Sequence, residues 1–421
     1  MAMKKMLFSD IDTPDKVLKR SFVSKMIIPF EVLMGDLTVY VSNKQQKSDL
    51  FWTCVLVKRL PACRIAHFGE ICGYKYLVDA ANKYPQDAEV AKHICLALNR
   101  CAIEDDKTRE LCMLNGCVEL VLDIARRFLP TWLDKQVHED VRVENACTVH
   151  AALAALSCLT INNKNTAKKR CLANDGARIL FQALETFSDG PAAFVTPACI
   201  ALNNIVKDPS CESLCKEYDD LVSSLIAKFQ DGPTYSVSEL TKLLYFMHNH
   251  GGPDKGVIML TKLLEDHVDG PEPLLCGALD VLASCTDVNH VDITTSFDDA
   301  ALGATIKLFT KYRQCGSPLL LGLICNVLHN ATSDLRPNFA ARQTLCQPIV
   351  QDLFGLVRLL SGSHTNEFRM ACHALAGVCM NNQPNRACIT ASQMQVLADL
   401  SKVQTDDEIR LVLCGICNEE K

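Results

Sequence analysis

The sequence predicts an all-α fold in which short helices stack in layers. Hydrophobic residues make up 48% of the 421 residues and charged residues 22%, which is typical of a globular chain and not of a disordered one. A glycine-containing turn is followed in four places by an apolar run that ends near a leucine, always at the same distance. The one strand-like run, at 36–43, stands alone. These observations together favour repeated helices without a sheet.

The repeated turn sets the period. Asp-Gly-Pro occurs at 189–191, 231–233 and 269–271, and a related turn contains Gly316. The residue twelve positions after each glycine is a leucine: Leu202, Leu244, Leu282 and Leu328. These leucines are 42, 38 and 46 residues apart, and helical periods of this length are typical of HEAT or armadillo arrays. We expect each leucine to be buried at the same place in its helix.

The pattern extends in both directions. Leu375 follows downstream, and Leu156 and Leu98 precede. The interval between Leu98 and Leu156 is longer than the others. It contains the polar stretch 129–143, which predicts an inserted loop or a short extra helix. The predicted organisation is a non-repeat N-terminal arm at 1–47, a degenerate helical repeat at 48–84, and repeats over 85–421 with the insertion at 129–143.

Local residue choices agree with stacked helices. The run 145–159 is apolar on all sides, so neighbouring elements must cover it. The run 116–127 is amphipathic and can face one neighbour. In the turns before the covered helices we expect glycine to take an unusual φ and proline to begin the helix. Such a repeat cannot bury its apolar faces alone and must stack on the next one.

Several segments resemble armadillo repeats. They are "ALNNIVKDPSCESLCKEYDDLVSSLIAKF" at 201–229, "VLHNATSD" at 327–334 and "CMNNQPNRACI" at 379–389, the last matching the turn and short first helix of that family. The resemblance covers residues 85–418. It implies a right-handed α-α superhelix, an armadillo-like solenoid of about 7–8 three-helix repeats.

In that family, an asparagine two residues after the anchoring leucine lines a concave groove and can bind the backbone of an extended peptide. The corresponding positions here are Arg100, Cys158, Asn204, Phe246, Ser284, Asn330 and Gly377. Only two are asparagines, so a regular asparagine ladder is absent. This departure argues against a receptor for nuclear localisation signals. The amides have two open interpretations, which are capping of helix ends and contact with a ligand in the groove.

The resemblance yields a set of expected contact positions on the concave face: Arg100, Asn204, Phe246, Asn249, Ser284, His329, Asn330 and Asn381. Trp132, in the predicted insertion, is a possible anchor, since aromatic and arginine side chains dominate interface energetics. For Phe246 the alternative is ordinary packing in the core.

We find no convincing motif for catalysis, a cofactor or a metal, and we expect none of the three. "CGIC" at 414–417 lies in a predicted terminal helix, outside the setting of a redox pair. Cys112 and Cys117 lack a second pair of ligands for zinc. "MHNHGGPDKG" at 247–256 looks like a helix end and not a nuclease motif. Most of the 23 cysteines are expected to fill the core of a chain in a reducing compartment.

We therefore expect the chain to function through binding at its surface. A net charge of −6 without long charge runs disfavours nucleic acid and anionic membranes, and the apolar stretch 26–41 is too interrupted to span a bilayer. We expect an intracellular, cytoplasmic scaffold or adaptor, not an enzyme, that binds another protein or an extended peptide. The alternatives are a structural subunit of a large cytoskeletal assembly, ciliary or axonemal, and a regulatory or exchange factor for a small GTPase or chaperone.

Overall fold

A computed structural model shows α-helices throughout the residues that it describes, which are 54, 57, 73–104, 106–134, 136–161, 166–250, 253–286, 299–332, 339–362 and 366–418. In these ranges 84% of the residues are helical and none lies in a strand. The predicted all-α fold is therefore confirmed. The predicted arm at 1–47 and most of the predicted repeat at 48–84 lie outside the described residues.

The first of two compact units ends at Ile205. The helices with described bounds in it are α1 (Gly73–Lys83), α2 (Ala88–Glu104), α3 (Asp106–Leu114), α4 (Cys117–Phe128), α5 (Pro130–Leu133), α6 (Glu139–Leu159), α7 (Thr166–Ala173), α8 (Gly176–Thr186) and α9 (Ala192–Ile205). Helix α6 packs against α2 and α4 on one side and against α9 on the other. The helix that is apolar on all sides is thus covered by its neighbours, as the sequence requires.

The second unit begins at Val206. Its helices are α10 (Glu212–Glu217), α11 (Asp219–Phe229), α12 (Thr234–Asn249), α13 (Pro253–Asp266), α14 (Glu272–Thr286), α15 (Asp299–Tyr312), α16 (Pro318–Thr332), α17 (Phe339–Leu345), α18 (Val350–Leu360), α19 (Asn366–Cys379), α20 (Gln383–Ala387), α21 (Ala391–Val403) and α22 (Asp407–Asn418). Short 3-10 turns precede α10 and α18. Helices α12, α14, α16, α19 and α22 contact one another in that order.

All seven predicted leucines are buried, each at most 5% exposed. They lie on α2, α6 and α9 in the first unit and on α12, α14, α16 and α19 in the second. Leu413 on α22 is equally buried and extends the series by one step. We call these eight helices the anchor helices. Full burial of one leucine stabilises the fold by about 1.5–3 kcal/mol, so burial explains why a leucine recurs in each anchor helix.

The repeats differ in the helices that precede the anchor helix. Two helices, α7 and α8, precede α9, whereas α13 is the one helix described between α12 and α14. This is the place where the leucine step is shortest, 38 residues from Leu244 to Leu282. A shortened repeat therefore accounts for the shortest period.

The expectation that the turn glycines take an unusual φ is wrong. Gly116, with φ 77°, is the described glycine with a left-handed backbone, and the glycines of the four repeated turns lie outside that region. Instead, the N–H of Gly232 donates to the Phe229 carbonyl at 2.7 Å, and a Cβ there would come within 2.8 Å of the same oxygen. Gly270 makes the equivalent approach to His267. Glycine is required because the chain closes tightly on the preceding helix end.

The expected position of the turn prolines also needs correction. Pro233 is the residue before the first turn of α12, and its carbonyl accepts from Ser236 and Val237. Pro191 and Pro271 precede α9 and α14 in the same way, and Pro318 does begin its helix. A residue just before a helix contributes its carbonyl to the first intrahelical bond and needs no N–H of its own, which suits proline.

Candidate protein-binding face

The anchor helices present a common face on the side opposite the buried leucine. At 3.6 residues per turn, the positions nine, five and two before the leucine and two after it fall on one side of the helix. On α12 these are Tyr235, Glu239, Lys242 and Phe246. We call this side of each anchor helix the anchor-helix face. Five expected contact residues occupy the position two after the leucine: Arg100, Asn204, Phe246, Ser284 and Asn330.

Asn204 joins two anchor helices of the first unit. Its Nδ2 donates to the carbonyl of Ser157 at 3.3 Å and to Thr160 Oγ1 at 3.2 Å. Both partners lie at the C-terminal end of α6, where carbonyl groups have no partner within their own helix. The amide therefore caps a helix end, as one of the two sequence interpretations proposes. The capped end belongs to the preceding repeat and not to the helix that carries Asn204.

Asn330 repeats this arrangement in the second unit. Its Nδ2 donates to the carbonyl of Ala283 at 3.1 Å. Ala283 on α14 and Ser157 on α6 each directly follow an anchor leucine. The same register thus produces the same bond in both units, and it fixes each anchor helix relative to the one before it.

Phe246 is half-buried against the hydrophobic core. The Lys207 ammonium lies 4.1 Å from the centre of its ring, and the Tyr245 ring lies 5.3 Å away on an edge-to-face angle. A cation at this distance is attracted by the π electrons of the ring. Phe246 is thus partly covered by its own chain.

Ser284 and Arg100 differ in their exposure. Ser284 is exposed, and its hydroxyl donates only to the Asp280 carbonyl one turn earlier, at 2.9 Å. The Asp280 carboxylate accepts from Ser238 on the neighbouring α12 at 2.9 Å. Arg100 is half-buried on α2. Of this group, Ser284 is the side chain most open to a partner.

His329 begins a row of ring and charge contacts across three anchor helices. Its ring lies 5.0 Å from that of His373 on α19, and His373 Nε2 lies 3.2 Å from the Glu408 carboxylate on α22. The described residues contain no cluster of three histidine, cysteine or acidic side chains that could hold a metal ion. The row therefore joins neighbouring repeats.

Besides His329, which directly follows its anchor leucine, three expected contact residues lie off the anchor-helix face. Asn249 ends α12 and packs against Gly256, where a Cβ would come within 2.4 Å of the amide oxygen. Asn381 follows α19 in a left-handed turn with φ 58°, a conformation that asparagine tolerates better than most residues. Trp132 is half-buried on α5, with its ring 5.8 Å from Phe187. Trp132 therefore packs within the first unit, and any role as an anchor remains a prediction.

Two buried amide side chains near the end of the chain were not predicted from the sequence. Gln343 on α17 donates to the carbonyls of Gly377 and Met380 at 2.6 and 2.8 Å. Asn385 on α20 donates to the carbonyl of Val378 at 2.9 Å. They cap the end of α19, where Gly377 occupies the position that Asn330 holds on α16. The one available signal was the asparagine-rich turn at 381–385.

The thiols behave as packing groups. Of the 20 cysteines whose side chains the structure describes, 14 are buried, so the expected core role is confirmed. Burial raises the pKa of Cys211 to about 11 and that of Cys215 to about 12. Burial also raises the pKa of Cys417 in the "CGIC" segment. Since the thiolate is the reactive form, the raised pKa of Cys417 disfavours reactivity at that residue.

The histidines of 247–256 serve the ends of helices. His248 Nε2 lies 3.1 Å from the Asp219 carboxylate, and His250 Nε2 contacts the carbonyl of Val206. The His250 contact agrees with the capping interpretation, whereas His248 faces a carboxylate and caps no carbonyl. Among the described residues, no helix combines the length and the hydropathy that crossing a membrane requires.

A cleft of about 500 Å³ lies at the N-terminal ends of α2 and α6. Its polar side chains are engaged with the fold. Arg127 contacts the Pro85 carbonyl and the Asp123 carboxylate, Asn145 donates to Thr131 at 2.9 Å, and Asp87 accepts from the α2 backbone. This arrangement supports the packing of the first repeat.

The comparisons with known proteins are distant. No protein-family model and no curated protein matches the chain. Among solved structures, it is similar to a crystal structure of an engineered protein with 18% identity over 93% of this chain and 98% of that one, TM-score 0.45. A second engineered protein has 16% identity over 73% of this chain and 96% of that one, TM-score 0.37.

A third similar structure comes from a study of a phosphorylation switch that controls the interaction between cadherin and beta-catenin. It has 13% identity over 91% of this chain and 79% of that one, with a TM-score of 0.41. With TM-scores below 0.5, these likenesses establish neither the family nor the function of the chain.

Proposed function

We propose that the chain is a non-catalytic scaffold or adaptor that binds a protein partner on its anchor-helix face. The observation that carries this proposal is the ordered contact of α12, α14, α16, α19 and α22. Neighbouring helices pack about 8–10 Å apart, so five of them offer a continuous face roughly 30–40 Å long. A stable interface needs about 800 Å² from each partner, which such a face can supply.

On the anchor-helix face, some side chains hold neighbouring helices together and others are exposed to solvent. The amides of Asn204 and Asn330 fix neighbouring helices to each other within their units. Ser284 and Leu411 on the same face are exposed, the latter by 69%. A surface that is already ordered loses little conformational entropy on binding. This supports recognition of a partner by a preformed face.

A protein partner suits the charge distribution better than nucleic acid does. The chain carries a net charge of −6, and several arginines of the second unit already face carboxylates, as in Arg313 with Asp352 and Arg369 with Asp406. The 49 acidic side chains outnumber the 43 basic ones, so the chain lacks the excess of cations that binding to phosphates uses. A reducing, cytoplasmic location is part of the proposal, and the burial of 14 cysteine side chains as packing groups supports it. The cytoskeletal and exchange-factor alternatives stay predictions.

The test is affinity capture of the tagged full-length chain from its own cells, followed by mass spectrometry. Ser284→Arg and Leu411→Asp alter exposed positions of the face. Leu359→Asp is the matched control, because Leu359 is 71% exposed but lies on α18, outside the anchor helices. The proposal expects partners that the wild type and the control both retain and that the face variants lose. Equal recovery by all four chains would contradict it.

A further inference from the structure

Three consecutive anchor helices carry an apolar side chain at their N-terminal ends. Tyr235 on α12, Pro273 on α14 and Leu319 on α16 each lie nine residues before their anchor leucine. Tyr235 is 62% and Leu319 48% exposed, and Pro273 is half-buried. We call these three residues the rim row. Large apolar side chains in a line at the surface mark an interaction site more often than scattered ones do.

The rim row is continuous because the three helix ends are in contact. Ser238 near the start of α12 donates to Asp280 on α14, and a Cβ on Gly277 would lie 3.1 Å from the Ser238 backbone. At the next step, the Ser317 hydroxyl that caps α16 donates to Glu272 at the start of α14. Helices in such contact lie about 8–10 Å apart, which sets the spacing of the row.

The turns beside the row are acidic. The turns at 230–233, 267–271 and 313–317, together with the first residue of α14, contain the carboxylates of Asp231, Asp269 and Glu272 and one arginine, Arg313, which pairs with Asp352 on α18. Lys311 reaches Asp269 from α15. The remaining carboxylates give the rim an excess of negative charge, which complements a basic partner.

An extended peptide is a poor fit to this part of the face. Recognition of a peptide backbone needs open amide groups at regular intervals, and the Asn330 amide already donates to Ala283. Phe246 and Ser284 occupy the same register on α12 and α14, and neither is an amide. A partner that satisfies its own backbone hydrogen bonds does not need such groups.

We propose that the rim row binds an amphipathic helix of a protein partner, which lies across α12, α14 and α16. Residues seven apart on a helix are separated by about 10.5 Å, close to the spacing of the row. The partner helix then presents a large apolar side chain every second turn, with lysine or arginine beside them to face Asp231 and Glu272. This inference rests on the proposed function and names the chemistry of the partner.

The test starts from a displayed library of helical peptides of roughly 20 residues, selected on the immobilised full-length chain. The enriched peptides should carry apolar residues at seven-residue spacing with flanking lysine or arginine. Their affinity for the chain is then measured by fluorescence anisotropy for Tyr235→Asp and Leu319→Asp, with Leu359→Asp as the control. Each rim variant should weaken binding at least about tenfold, and the control should leave it unchanged. Thermal melting of each variant checks that it is folded.

Three outcomes would overturn the inference: no enrichment, enrichment of extended or acidic peptides, or binding that both rim variants leave intact. The failures of the two proposals are distinguishable. If binding is lost with Ser284→Arg or Leu411→Asp and not with the rim variants, then the anchor-helix face binds protein but the rim row does not. Glu272→Gln, which removes one carboxylate of the rim, should weaken binding less at high salt than at low salt.

Discussion

The Asn330 side chain donates to the Ala283 carbonyl, 3.1 Å away, and so joins α16 to α14. Asn204 makes the equivalent bond to Ser157 on α6. The two amides are 126 positions apart and lie in different units, yet each is two residues after an anchor leucine. A single register therefore generates a repeated bond between neighbouring anchor helices.

Asn330→Ala and Asn204→Ala should each lower the free energy of unfolding by about 0.5–1.5 kcal/mol, because each removes a hydrogen bond between neighbouring anchor helices. Ser284→Ala is the control, since that hydroxyl is exposed and bonds only within its own helix; its effect should stay within about 0.5 kcal/mol. Urea unfolding followed by circular dichroism measures all three. Asparagines that only served a ligand would give no loss, and that result would rule out the structural role.

The repeated turns predict opposite effects for two glycine-to-alanine changes. Gly232→Ala should destabilise by about 1–3 kcal/mol, because the new Cβ would lie 2.8 Å from the Phe229 carbonyl oxygen. Gly303 lies inside α15 with no atom within 4 Å of the added carbon, so Gly303→Ala should stabilise by about 0.5–1 kcal/mol. Thermal melts of the two variants provide the comparison. A stable Gly232→Ala variant would show that the turn can relax.

The leucine period was predictable because burial acts on every repeat in the same way. Leu202 and Leu328 must face the core, and a fixed register follows from the helical geometry alone. The all-α fold could therefore be inferred from spacing. The same register places Ser284 and Asn330 on the same side of their helices, and their expected contact with a partner stays a prediction.

The remaining contacts depend on which helices become neighbours. Lys207 over Phe246 and His329 beside His373 each join residues about 40 positions apart, and no local pattern indicates them. The buried Gln343 is a similar case, because it replaces an amide that is missing from a different helix. Such pairs depend on how the repeats pack against each other, and side chains of different types can make equivalent contacts there.

The stability of the first unit should fall in mild acid because of His150. Its ring packs against Phe194 at 5.1 Å, its Nδ1 is buried without a hydrogen bond, and burial lowers the pKa of the imidazole below its ordinary value. In mild acid the unfolded chain therefore binds a proton at His150 that the folded chain does not bind. Stability is therefore full above the unfolded pKa of about 6.5 and decreases as the pH falls from there towards the lower folded pKa.

The measurement is the urea midpoint between about pH 5 and pH 8. One such group contributes a slope of at most about 1.4 kcal/mol per pH unit. His150→Leu should flatten this part of the profile. His138→Asn is the control, since His138 is 76% exposed and asparagine keeps a helix cap at that position. Identical profiles for the wild type and His150→Leu would assign the acid sensitivity to other groups.

The cysteines should differ sharply in reactivity. Cys315 is exposed in the turn after α15, whereas Cys346 and Cys372 are buried, and burial raises the pKa of each to about 12. Because the thiolate is the reactive form, alkylation of the native chain at neutral pH should modify Cys315 at least about tenfold faster than either buried residue. Mass spectrometry of the digested chain assigns each site separately, and unfolding in urea should remove the difference. Rapid modification of Cys346 in the native chain would mean that the layers around α17 and α19 open far more readily than the packed structure implies.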